Sequence, residues 1–149
     1  MDKIKKIMVA VDFSTYSPKV VDSAGRLAES LGAEMVLANV INQRDVNLVK
    51  RVTGYVDAMS VKVYVENLKQ ERTSRMDEIL RQTRCENIPH RLIFKVGIPF
   101  EALIQVTKEE LVDIVIMGAK GRTNLAEVLF GSTAERMFRF CPVPLLSIR

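Results

Sequence analysis

Gly118-Ala119-Lys120-Gly121 is followed by Gly131-Ser132-Thr133, and three of the chain's seven glycines lie in this span. The apolar run Ile114-Val115-Ile116-Met117 leads into it, and Thr133 to about Phe140 reads as a helix. A glycine at the carboxyl end of a buried strand lets the backbone turn through φ > 0 and lets a ligand come close. Ser132 suits an N-cap, because its hydroxyl can accept from a backbone N–H one turn on. The free N–H groups of such a helix start, at the positive end of its dipole, form a natural phosphate site. The chemistry expected is a cradle for nucleotide phosphates. Gly118 and Gly121 would bring backbone close to ribose and phosphates, and Gly131, Ser132 and Thr133 would hold the phosphates themselves. Lys120 and Arg122 stand beside the loop and could add charge, though a solvent-facing place suits them equally. An ordinary turn and an ordinary helix start would use the same residues. The spacing is neither a Walker loop nor a dinucleotide G-x-G-x-x-G fingerprint.

Little else in the chain could do covalent chemistry. No nucleophile–base pair is visible, and Glu127 and Glu135 beside the loop look like ordinary helix-surface carboxylates. Phosphoryl transfer to water needs a residue that orients the water, and none is evident. The single histidine leaves a His-based metal site little to build on. Cys85 and Cys141 match no metal or redox spacing and are expected to be reduced, at least one of them buried. The net charge of +4 and pI near 9.2 come from cations interspersed with acids. No basic run is interleaved with aromatics as single-stranded nucleic acid favours. No nucleic-acid partner is therefore expected. No apolar run reaches the roughly 18 residues of a membrane span, and Met1 to Lys6 carries no signal-peptide core. A cytoplasmic protein is the expectation.

The elements that must position the glycine loop follow from periodicity. At 149 residues, 48% hydrophobic and 27% charged, the chain suits one domain over residues 1–149. Ile7 to Val11 is a continuous apolar run ending at Asp12, as in a strand buried on both faces. Ser17 is read as an N-cap and Pro18 as the first helical residue, with Val20, Ala24, Leu27, Ala28 and Leu31 at helical spacing and Gly32 at C′. Met35 to Val40 is a second buried strand. Asp45 to Asp57 shows weak helical spacing broken at Gly54, and a long charged helix runs from about Ala58 to near Arg84. His90 to Val96 alternates like an edge strand, with Leu92, Phe94 and Val96 on one side. Pro99 starts a helix carrying Ala102, Leu103, Val106 and Leu111. Ile114 to Met117 is a central strand, and Leu145 to Ile148 a short final one. Strands alternating with helices give a parallel α/β sheet with helices on both faces.

The glycine spacing, the early Val9-Ala10-Val11-Asp12-Phe13-Ser14 and the terminal Cys141-Pro142-Val143-Pro144-Leu145-Leu146-Ser147-Ile148 together resemble the ATP-binding branch of the universal stress protein family. The likeness runs from about Ile4 to Arg149, with roughly 44–84 unlike any fixed pattern. It implies a Rossmann-like five-stranded parallel sheet in strand order 3-2-1-4-5. Ligands of such sheets bind at the switch point, here between strands one and four, where Asp12 and Gly118 converge. The resemblance further implies ATP, with Mg2+ bridging phosphates, although no carboxylate cluster is set aside for the ion. Asp12, with Val11 beside it, would accept from the adenine amino group, and Val40 would pack against the base. Read as structure alone, Asp12 caps the following turn near Ser14. An apolar edge strand needs a partner, and the family pairs Val143 to Ile148 across a two-fold axis, so a homodimer is expected. A regulatory ATP-binding protein is the leading reading. A non-nucleotide interaction module and a slow ATPase are the alternatives.

Overall fold

The computed structural model describes residues 2–53, 58–120 and 132–149. Five strands, β1 (Lys6–Ala10), β2 (Glu34–Asn42), β3 (His90–Gly97), β4 (Ile114–Gly118) and β5 (Leu145–Ile148), form one sheet in the order β3-β2-β1-β4-β5. All four pairings are parallel, as the expected topology requires. The helices are α1 (Ser17–Leu31), α2 (Gln43–Thr53), α3 (Ala58–Gln82), α4 (Pro99–Glu109) and α5 (Ser132–Phe140).

Alternation along the strands explains two cores. Ile7, Val9, Met35 and Leu37 point to one face and pack with Val21, Ala24 and Ala28 of α1 and Met76, Ile79 and Leu80 of α3. Met8, Val36, Val115 and Met117 point to the other and pack with Leu103 and Val106 of α4 and Ala134 and Met137 of α5. Burial on both faces is why β1, β2 and β4 read as unbroken apolar runs. β3 lies at one edge and β5 at the other.

Several local expectations change. Ser17 is the first residue of α1 rather than its cap; Tyr16 holds the cap position, and no side chain caps the helix. The Ser17 hydroxyl is drawn instead to Asp12, as described below. Gly32 does end the helix in the left-handed region, at φ 64°. Leu111 is not on the helix that Pro99 starts. It follows α4 at φ 54° and is 77% exposed. Val96, placed with Leu92 and Phe94 by alternation, is exposed because it stands near the open end of the edge strand. β2 continues two residues past Val40, so Val40 lines the side of the cleft and not its floor. The last helix begins at Ser132, one residue early. Gly54 lies outside the described residues. α3 sinks only its second half into the core, since Val61, Val65 and Leu68 are half-buried while Met76 is fully covered.

The amino end of the sheet is closed by charge. Asp113 accepts from the N–H groups of Lys5 (2.8 Å) and Lys6 (2.9 Å), and its own N–H donates to the Lys6 carbonyl at 3.0 Å. Those two backbone donors hold the Asp113 carboxyl below the usual carboxylate range. Glu34 approaches both Lys6 and Arg91, and Arg91 also pairs with Glu110.

Candidate functional site

At the opposite end of the sheet, the β1–β2 ladder runs out at Ala10 and Ala38. Val11 still donates its N–H to the Ala38 carbonyl at 2.9 Å, and there β1 ends. Carbonyls two residues apart on a strand point the same way, so the Val40 carbonyl also faces the space that β1 has vacated. β1 and β4 part at this point, with crossovers leaving to opposite sides of the sheet, and the gap between them is the switch point. A cavity of about 470 Å³ opens there. That volume is within the range of small-molecule sites.

Seven of the residues singled out by sequence meet around it: Val11, Asp12, Val40, Gly118, Lys120, Ser132 and Thr133. Gly121, Arg122 and Gly131 lie outside the described residues. Val11 is buried, and Asp12 and Val40 are half-buried. One oxygen of Asp12 accepts from the Ser14 N–H (2.9 Å) and the Ser17 hydroxyl (3.2 Å), so the carboxylate pins the turn that opens α1. Gly118 does not use left-handed backbone. A Cβ there would stand 3.1 Å from the Lys120 carbonyl oxygen and 3.4 Å from a Val20 methyl, so a side chain at this position would crowd the Lys120 backbone.

Asn39, Arg72 and Arg75 also line the cavity and were not marked by any motif. Asn39 is 4% exposed. Its amide donates to the Val11 carbonyl at 2.7 Å, and its oxygen accepts from Arg72 of α3, also at 2.7 Å. The same Arg72 nitrogen donates to the Val40 carbonyl at 3.2 Å. Asn39 therefore satisfies a carbonyl that the parallel ladder no longer reaches. The available signal was a polar residue inside an otherwise apolar strand. Phe13 stands at φ 60°, a costly conformation for an aromatic residue, with the Arg75 guanidinium 4.4 Å over its ring. Arg44 and Asp45 of α2 complete that side.

Among the described residues no group of three or more His, Cys, Asp or Glu side chains could hold a metal ion. Cys85 and Cys141 are both free thiols. Burial pushes the Cys141 thiol above its usual range, which disfavours a reactive thiolate. No helix among the described residues is long and apolar enough to cross a membrane.

A profile of the Universal stress protein family matches residues 3–149. The chain belongs to the universal stress protein family. Universal stress protein MJ0577 of Methanocaldococcus jannaschii is 29% identical, over 97% of this chain and 94% of its own length. Universal stress protein YxiE of Bacillus subtilis is 25% identical, over 97% and 98%. The solved structure of MJ0577 superposes with a TM-score of 0.81 at 27% identity, covering 99% of this chain and 96% of that one. At 16% identity, a universal stress protein of Archaeoglobus fulgidus in complex with dAMP shares the fold, with a TM-score of 0.66 and coverage of 99% and 100%.

Proposed function

We propose that this universal stress protein binds ATP in the switch-point cavity and acts as a regulatory switch, without efficient turnover. The observation that carries the reading is the meeting of Asp12, Val40, Gly118, Ser132 and Thr133, from four separate parts of the chain, around one cavity. Asp12 and the Val40 carbonyl give one side hydrogen-bond acceptors, which suit the amino group of adenine. Ser132 and Thr133 at the start of α5, and Lys120, bring donors and positive charge to the cavity, which suit phosphates. The dAMP bound by the Archaeoglobus fulgidus protein is in keeping with an adenine nucleotide here. Mg2+ would be held chiefly by the phosphates, since no carboxylate cluster stands ready for it among the described residues.

The role of the nucleotide is to favour one conformation and shift the population toward it. Slow ATP hydrolysis is the second reading, because phosphates and Mg2+ would sit together in the cavity. We further propose that two copies pair through Val143 to Ile148. β5 is the sheet edge beside β4, and Leu146 on it is 42% exposed.

The test is mass spectrometry of small molecules released when freshly purified protein is denatured, then calorimetric titration of the stripped protein with ATP, ADP and AMP. Stoichiometric adenine nucleotide and micromolar ATP binding, lost in Gly131→Val, are expected. Absence of heat at millimolar ATP would leave an interaction module as the better reading. Steady ADP release, lost in the same variant, would establish the ATPase. Sedimentation of the free protein at micromolar concentration tests the dimer.

A further inference from the structure

The long charged helix α3 is the part of the chain whose sequence says least, yet two of its residues, Arg72 and Arg75, line the cavity. Arg72 lies where α3 changes from a half-exposed helix to one anchored in the core by Met76, Ile79 and Leu80. From there a single nitrogen spans 33 residues of sequence to Asn39 and bonds the Val40 carbonyl as well. Asn39 in turn fixes the Val11 carbonyl. Two carbonyls left over at the ends of neighbouring strands are thus held in one arrangement by one buried amide and one guanidinium.

We infer that Arg72 is a positioning residue that, through Asn39, sets the cavity's preference for bases bearing an amino group. The inference rests on the nucleotide reading above. A carbonyl oxygen has two lone pairs. Arg72 takes one on Val40 and Asn39 takes one on Val11, and each bond fixes the direction in which the other lone pair is presented. With the Asp12 carboxylate, these carbonyls make an acceptor edge. An acceptor edge favours a base that offers N–H donors there and disfavours one that offers a carbonyl oxygen, because two acceptors facing each other leave both unpaired. Without Arg72, the Asn39 oxygen loses its partner while buried, and the amide rotates to find another donor. The acceptor edge then loses its fixed direction, and discrimination falls more than affinity for the phosphates does.

ATP and inosine triphosphate differ in having an amino or a carbonyl group at the same ring position, and their phosphates are identical. The experiment is calorimetric titration of the full chain with each, for the wild type, Arg72→Met and Arg72→Lys. Side-chain amide resonances of Asn39 in the ligand-free proteins give a readout independent of nucleotide. The wild type is expected to prefer ATP by about tenfold or more, as one misplaced buried hydrogen bond implies. Arg72→Met is expected to bring that ratio to within about twofold and to speed solvent exchange of the Asn39 amide. Arg72→Lys keeps a donor and is expected to restore part of both. If Arg72→Met fails to fold, the lysine variant decides on the same two readouts, a reduced ratio and a faster-exchanging Asn39 amide being required together. ATP binding with the preference intact in the variants overturns the inference alone. No binding of either triphosphate by the wild type overturns both it and the nucleotide reading. Equal weakening of both triphosphates would mark Arg72 as a structural support and also overturns it.

Discussion

The two ends of the sheet solve the same problem in different ways. Parallel strands leave unpaired backbone groups wherever a ladder stops. At the amino end, Asp113 takes up two of them at once, and the Lys6, Glu34, Arg91 and Glu110 charges lie over the surface beside it. At the carboxyl end, the partners are Asn39 and Arg72, which reach the strand ends from within and leave a cavity open in front of them. A carboxylate at the entry of the neighbouring strand closes a surface. Partners that come from the side satisfy the backbone and keep a space into which a ligand fits.

If that contrast is right, the carboxyl end should be the more sensitive to single changes. Asn39→Leu is expected to do most damage, since it strips a buried carbonyl and a half-buried guanidinium of a partner together. A loss of about 3 kcal/mol is expected from two such groups, read by urea denaturation. Gly118→Val should cost about 2 kcal/mol by overpacking against the Lys120 backbone and Val20, and it should weaken ATP binding in the same preparation.

At the amino end, Asp113→Ala should cost about 1 kcal/mol, and the cost should depend on pH. The folded carboxyl is held low by the Lys5 and Lys6 N–H groups, so its contribution is complete above the unfolded value of about 3.9. It is lost as pH falls through the lower folded value. Melts of both proteins should therefore differ at pH 7 and converge in strong acid. Smallest of all, Arg91→Ala should change stability by less than about 1 kcal/mol, and the change should shrink in 1 M salt because the pairs are exposed. A variant at the amino end that exceeded Asn39→Leu would reverse the comparison.

The same contrast explains what the sequence revealed. Central burial was legible because Ile7 to Val11, Met35 to Val40 and Ile114 to Met117 are apolar on both faces, while the strand order rested on the family likeness. Asp12 and Gly118 were found because each sits at the end of such a run, and the family likeness joined them. Ser17 was misread because an N-cap signal is local, while its hydroxyl is claimed by Asp12 five residues earlier. Leu111 was assigned by spacing alone, and the helix stops before it. Asn39 stood in plain view as a polar residue in a buried strand. Arg72 did not, because nothing near it in sequence marks which of many helix-surface arginines turns inward. A pattern of residues records periodicity well and long-range polar pairing poorly.

The topology also governs how the chain comes together in time. β1 lies at the middle of the sheet but is made first, and its two sides are completed at very different moments. Its β2 side is available as soon as Glu34 to Asn42 exists. Its β4 side stays open far longer, since Lys6 and Asp113, which clasp there, are 107 residues apart. During synthesis at about 5–20 residues per second, an apolar strand edge in the heart of the future sheet waits roughly 5–20 seconds without its neighbour. The growing chain is therefore most exposed to pairing with other chains, and most in need of a chaperone, before residue 114 emerges from the ribosome.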